Sequence, residues 1–202
     1  MKTTILTLAT ISSIVLGIGT KSFAAGKDSA AKSNTEVSTV LNNVSKISKI
    51  EVRGNVELFV SDGDDQVKVY NKYYEQSALV QSQNGVLRIS SYADQKLVVW
   101  IKAADLRAIN AYDNAEVKSF GKLSAIELDL TLHNNASAKL DMNTFSANVT
   151  VNDRATANLS GTAEKVNLKH DVTASVNKVD LKAGSLTENK VVPAKEQDMA
   201  TL

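Results

Sequence analysis

The sequence has no cysteine, a single proline, two histidines and no surplus of either charge, and each scarcity closes off a class of function. Without cysteine there can be no disulfide scaffold, thiolate zinc site, iron–sulfur cluster or thiol nucleophile. The 23 Lys and Arg residues are interleaved with 22 Asp and Glu from end to end, so the clustered basic surplus that phosphate neutralisation needs is missing and nucleic acid is excluded as a partner. His133 and His170 stand in neither an HxH nor an HExxH spacing, so no histidine metal site is expected. No GxGxxG, GxxxxGK or GxSxG pattern occurs, which removes the common phosphate cradles and the serine nucleophile elbow; no cofactor is expected. What is present is a chain of 202 residues, 43% hydrophobic and 22% charged, the size and composition of one globular domain with a core of its own.

The first residues read as a secretory signal peptide spanning 1–24. Lys2 precedes an apolar stretch from Ile5 to Ile18, and Ser22 and Ala24 supply the small-x-small cleavage pattern, with Ala25 as the second choice of site. The stretch is shorter than the roughly 20 residues needed to cross a bilayer, so no membrane span is expected after the signal is removed. Processing at Ala24 removes Lys2 and Lys21 and no acid, leaving 21 bases against 22 acids. Residues 25–45, rich in Ser, Ala, Asn, Thr and Lys, read as a flexible leader, and 187–202, which hold the only proline, Pro193, as a flexible tail.

Between these ends, over 46–186, hydrophobicity has a period of two. Ile50 and Val52, then Val56, Leu58 and Val60, and later Leu97, Val99 and Ile101 alternate with polar residues, as strands with one buried face do. Arg53-Gly54-Asn55, Ser61 to Asp65 and Gln83-Asn84-Gly85 provide turn chemistry between the runs. Tyr73–Gln81 is the only stretch in which a helical turn is expected.

From residue 106 the sequence repeats. The windows AYDNAEVKSF (111–120), LHNNASAKLD (132–141), VNDRATANLS (151–160) and HDVTASVNKV (170–179) align with offsets of 21, 19 and 19 residues. The offsets place Ala115, Ala136, Ala155 and Ala174 in one column and Val117, Ala138, Ala157 and Val176 in another. Ile109, Leu130, Val149 and Leu168 form a third, and Ala111, Leu132, Val151 and His170 a fourth. Units of this length cannot bury an apolar face alone and must stack. The expected fold is therefore all-β, a single-domain parallel β-solenoid with coils of about 20 residues; the alternative is an antiparallel β-sandwich. The turn column Asp113, Asn134, Asp153 and Val172 suits a corner, because Asx residues accept left-handed backbone.

ISKIEVRGNVELFVSDGDDQVKVY (Ile47 to Tyr70), NGVLRISS (Asn84 to Ser91), LVVWIKAADLRAINAYDNAEV (Leu97 to Val117) and the repeats that follow resemble the putative auto-transporter adhesin, head GIN domain family of the bacterial cell envelope over about two thirds of the chain. The resemblance implies a secreted β-helical domain with no established enzymatic activity. The chain departs from the family at its turns, where Asp-Asn-Ala, Asn-Asn-Ala, Asp-Arg-Ala and Val-Thr-Ala replace the usual Ser-Gly-Ser-Gly, so a role that needs bare glycine backbone there is in doubt.

The candidate binding face follows from the repeat. Tyr112, His133 and Asn152 precede the Asx corner and Asn114, Asn135 and Arg154 follow it, a ladder suited to sugar hydroxyls or a protein surface. His170 is expected to face inward and close the last coil. Asp62, Asp64 and Asp65 resemble the start of a calcium loop without its remaining ligands. Asp113 and Asp153, two coils apart at about 9.6 Å by strand spacing, near the separation used by inverting glycosidases, carry the enzyme alternative. The expected function is a non-catalytic, exported cell-envelope protein of the periplasm or surface, adhesin-like or scaffolding, whose partner is a cell-surface glycan or an envelope protein. A carbohydrate-active enzyme and a self-associating structural module are the alternatives. No residue pattern specifies the oligomeric state.

Overall fold

The computed structural model describes residues 38–41, 44, 46–70 and 78–192. The expected signal peptide, most of the expected leader, Tyr73, Tyr74 and Pro193 lie outside the described residues.

Among the described residues twelve strands form one sheet: β1 (Ser38–Leu41), β2 (Lys49–Gly54), β3 (Val56–Asp62), β4 (Gln66–Tyr70), β5 (Ala78–Gln83), β6 (Val86–Ser91), β7 (Leu97–Ala103), β8 (Ala108–Tyr112), β9 (Glu116–Leu132), β10 (Ser137–Val151), β11 (Thr156–Asp171) and β12 (Ser175–Val191). Period-two patterning gives each of the early strands a buried and a solvent face, as in β3, where Val56, Leu58 and Val60 are buried and Glu57 and Phe59 are not. Ala78–Gln81, the described part of the stretch Tyr73–Gln81 in which a helical turn is expected, belongs instead to strand β5, because Asn84 (φ 52°) and Gly85 (φ 79°) form a two-residue hairpin that pairs β5 antiparallel with β6.

The parallel β-solenoid expected from the repeat is not the architecture of the chain. The sheet is mixed: β1 with β4, β4 with β7 and β5 with β6 pair antiparallel, while the other pairings are parallel. Nor does the chain wind rung after rung. β2 lies between β6 and β8, and β3 between β7 and β9, so the early strands are interleaved out of chain order. The alternative, an antiparallel sandwich, does not form either, since all twelve strands belong to one connected sheet in which parallel pairing dominates.

The sheet curls at β9. Glu116–Ser119 of that strand pair with β3, whereas Asp129–Leu132 pair with β8, so one arm (β3, β7, β4, β1) and the other (β8, β2, β6, β5) turn their inner faces into one core. That core is aliphatic, built from Ile, Val, Leu, Ala and Met; none of the aromatic side chains among the described residues is in it. A fully buried Leu or Ile contributes about 1.5–3 kcal/mol by leaving water, so this shared core is what holds the arms together.

Beyond the curl, β9 to β12 stack in parallel along their length, and the register unites the repeat columns. Val117, Ala138, Ala157 and Val176 are Cα partners in succession, as are Ile109, Leu130, Val149 and Leu168. The changing offset has a local cause: β9 carries extra residues at Phe120 and Gly121, between the Lys118–Lys139 and Lys122–Asp141 pairs. β12 runs to Val191, past the boundary at 186 expected from the sequence, so Thr187–Val191 are paired strand.

Candidate functional site

Each turn of the stack closes the same way. Ala115 N–H donates to Tyr112 O (3.2 Å), Ala136 to His133 O (3.1 Å), Ala155 to Asn152 O (3.1 Å) and Ala174 to Asp171 O (3.2 Å). Asp113, Asn134 and Asp153 take left-handed backbone at φ 63°, 60° and 58°. Asx residues occupy this region more readily than other L-residues because a short polar side chain can bond locally. Here the side chains bond along the stack. Asn134 N–H donates to Asp153 Oδ2 (2.8 Å), Asp153 N–H to Asp171 Oδ2 (2.7 Å), and the Tyr92 phenol to Asp113 Oδ2 (3.0 Å). That last bond, which needs the phenol proton, holds the Tyr92 pKa above its usual value.

The six ladder residues are brought onto one edge. Tyr112 and His133 stack with centroids 5.0 Å apart, Asn152 Nδ2 lies 3.3 Å from His133 Nδ1, and Asn135 Nδ2 donates to Asn114 Oδ1 (3.3 Å). Arg154 follows in the turn column, its N–H bonded to Asn134 O at 3.0 Å and its side chain exposed. Sequence reasoning missed Arg53, whose guanidinium carbon sits 3.8 Å from the Tyr112 ring centroid, a cation–π contact. Arg53 is the register partner of Tyr112 across β2 and β8, outside the repeat, so no sequence spacing could reveal it. Both faces of the Tyr112 ring are therefore covered, and the exposed groups of the ladder are its amides and Arg154.

Asp113 and Asp153, the carboxylates of the enzyme alternative, are both structural acceptors in this turn network. The acidic turn is equally engaged. Asp62 accepts Ser124 N–H at both oxygens (3.1 and 3.0 Å), and Asp65 accepts Ile47 N–H (3.1 Å) and Ala104 N–H (3.0 Å). Among the described residues no group of three or more metal-ligating side chains converges. His170 is buried in the last column, its Nε2 3.1 Å from Glu188 Oε1.

A second aromatic concentration lies on the outer face of the first arm. Trp100 stacks with Phe59 at 4.7 Å, meets Phe120 at 5.0 Å and touches Tyr70 edge-on at 6.4 Å. Beside it runs a chain of ion pairs, Lys96–Glu116 (2.5 Å), Glu116–Lys118 (3.1 Å) and Lys118–Glu57 (2.5 Å). Lys96 chiefly lowers the Glu116 pKa, and Glu57 chiefly raises that of Lys118.

The sequence pattern described as "Putative auto-transporter adhesin, head GIN domain" matches residues 46–191, most of the chain and nearly all of its described strands. The chain belongs to this family. Solved structures share the fold of this head GIN domain. A putative adhesin from Bacteroides fragilis NCTC 9343 is 14% identical, with a TM-score of 0.69 over 77% of this chain and 76% of that one. A putative adhesin from Parabacteroides distasonis ATCC 8503 is 15% identical, with a TM-score of 0.61 over 77% and 78%. A putative lipid binding protein from the same organism is 10% identical, with a TM-score of 0.60 over 76% and 78%. At such identities the likeness is one of fold. No curated protein matches the chain. The family's description is that of an adhesin head, which belongs to a cell-surface setting, and among the described residues no helix is long and apolar enough to cross a membrane.

Proposed function

We propose that this head GIN domain is a non-catalytic, adhesin-like binding module of the cell envelope, exported by its signal peptide at 1–24, that engages a cell-surface glycan or an envelope protein through its turn ladder. The observation that carries the reading is the left-handed Asx column. By bonding one turn to the next it holds Asn114, Asn135 and Arg154 outward at strand spacing, so weak polar contacts repeat at a fixed distance and add through avidity. Family membership supports the adhesin-like part of the reading. The engagement of Asp113 and Asp153 as backbone and phenol acceptors favours binding over hydrolysis.

The test is retention of the purified protein on host and bacterial glycans and on solubilised envelope proteins, with mass spectrometry of any glycan for shortened products. Retention without cleavage, reduced in Asn135→Ala and Arg154→Ala, is the expected result. Shortened products would replace the binding module with an enzyme, and retention indifferent to both substitutions would remove the ladder from the reading.

A further inference from the structure

Opposite in character to the turn ladder, the bends in the middle of β9 to β12 form an open groove of about 760 Å³ that crosses four rungs. Its floor is one register column of small residues, Ala125, Thr144, Ala163 and Ala183. One wall is the neighbouring column, Asn143, Thr162 and Lys182, in which the Thr162 hydroxyl donates to Asn143 Oδ1 at 2.9 Å. The other wall is Ile126, Phe145 and Glu164, with Ile126 83% and Phe145 54% exposed. Long walls over a floor of short side chains make a trough along the stacking direction, about 14 Å over three strand spacings.

Two features of the trough are costly unless something occupies it. Phe145 and Ile126 stand in water although the aliphatic core has excluded all the described aromatics. Thr144 is 7% exposed, and its hydroxyl has no hydrogen-bond partner, while its column neighbours are alanines that bury nothing polar. Thr144 is among the residues that line the trough, which puts its orphan hydroxyl beside an occupant.

We propose that this groove is a binding site for a linear oligosaccharide of pyranose rings. In the middle of the trough β10 and β11 are each paired on both sides, so an extended peptide crossing them would find no free strand edge to add to there. The groove recognises by side chain instead, and its equipment suits a sugar chain. Phe145 supplies an exposed ring face for the apolar side of a pyranose, and Asn143, Thr162, Glu164 and Lys182 supply hydroxyl partners of both senses along its length. Lys165 holds its ammonium 5.3 Å from the Phe145 ring centroid and Lys182 lines the groove, so cations are at hand for a carboxylate-bearing sugar. The site is separate from the turn ladder, so it stands whether or not the ladder binds.

The experiment is calorimetric titration of the purified full chain with linear hexasaccharides of cellulose, chitin and polygalacturonate. At least one is expected to bind, with Phe145→Ala weakening it about tenfold, as loss of a central aromatic contact does. Thr144→Val, which keeps the volume and removes the orphan hydroxyl, is expected to weaken binding while leaving the melting temperature unchanged or raised. Binding of none of the three overturns the groove, and capture of an envelope protein in the same preparation would leave the ladder reading intact. Binding lost in Asn135→Ala but kept in Phe145→Ala also overturns the groove, in favour of the ladder.

Discussion

The rings of Tyr112 and His133 lie 1° from parallel with their centroids 5.0 Å apart, stacked from one turn onto the next. The guanidinium of Arg53 covers the other face of Tyr112, so the tyrosine is the middle member of a three-layer stack that ties β2, β8 and the β9–β10 turn together. A stacked pair is worth about 0.5–1.5 kcal/mol and an exposed cation–π contact about 0.5–1 kcal/mol. Tyr112→Ala removes both and is expected to destabilise by about 1–3 kcal/mol in urea, more than either Arg53→Ala or His133→Ala. Equal effects for all three would show that the stack is incidental.

The turn column makes a prediction about backbone. Asp153 combines φ 58° with a carboxylate that accepts Asn134 N–H at 2.8 Å. Asp153→Asn keeps the left-handed preference and an acceptor, Asp153→Gly keeps only the backbone freedom, and Asp153→Ala keeps neither. Stability is expected to fall in that order, with Ala about 1–3 kcal/mol below the parent. A Gly variant less stable than the Ala variant contradicts the account.

Two glycines with similar backbone separate space from conformation. A Cβ on Gly161 (φ 97°) would lie 2.1 Å from the Met142 carbonyl oxygen, whereas one on Gly121 (φ 82°) has nothing within 4 Å. Gly121→Ala is expected to cost about 1–2 kcal/mol from left-handed backbone alone. Gly161→Ala adds a clash with backbone that cannot yield without breaking the β10–β11 ladder, and about 4 kcal/mol or outright failure to fold is expected. Thermal melts of the two variants side by side read the difference.

The last rung carries charge where earlier rungs carry aliphatics. Leu168 is followed in its register by Glu188, and His170 by Lys190, while Lys178 reaches Glu188 at 3.0 Å. Inward charges on a terminal strand blunt an edge that would otherwise recruit another strand, and β12 is a 17-residue edge. Glu188→Leu combined with Lys190→Val continues the apolar columns and is expected to raise the mass seen by light scattering with concentration. An unchanged mass would mean that these charges do not guard the edge.

The same cap gives a pH dependence. Hydrogen bonding from Lys178 is the main cause that holds the Glu188 carboxyl below its usual 4.5, with His170 a smaller one. A depressed carboxyl pKa stabilises the fold above the unfolded value and loses that stabilisation as pH falls through the folded value. The melting temperature is therefore expected to decline on acidification below about 4.5, and Glu188→Gln to flatten part of that decline.

Much of the fold is legible in the residues themselves. Alternation along Val56, Leu58 and Val60 specifies which face is buried, and Asn84-Gly85 specifies a tight hairpin, because both are consequences of local backbone geometry. The columns through Ala138 and Leu130 are legible because stacked strands repeat their environment, and equal environments select similar side chains. The ladder from Tyr112 to Arg154 is carried by the same repeat. Arg53, Phe59 and Phe120 are not, since their partners lie on strands paired out of chain order at separations that no period encodes.

By itself the sequence determined the strand class, the inner and outer faces, the Asx turns and the parallel register of the last four strands, all of which follow from a period of two and an offset near 20 residues. Tertiary structure alone decided that β1 and β4 pair antiparallel and that β2 and β3 slip between later strands. It alone decided that the sheet curls at β9 and leaves a trough at its bends. The reason is that alternation is identical for a strand paired either way. Hydrophobicity says which side of a strand is buried, and only the packing of both arms on one core says which neighbour it is buried beside.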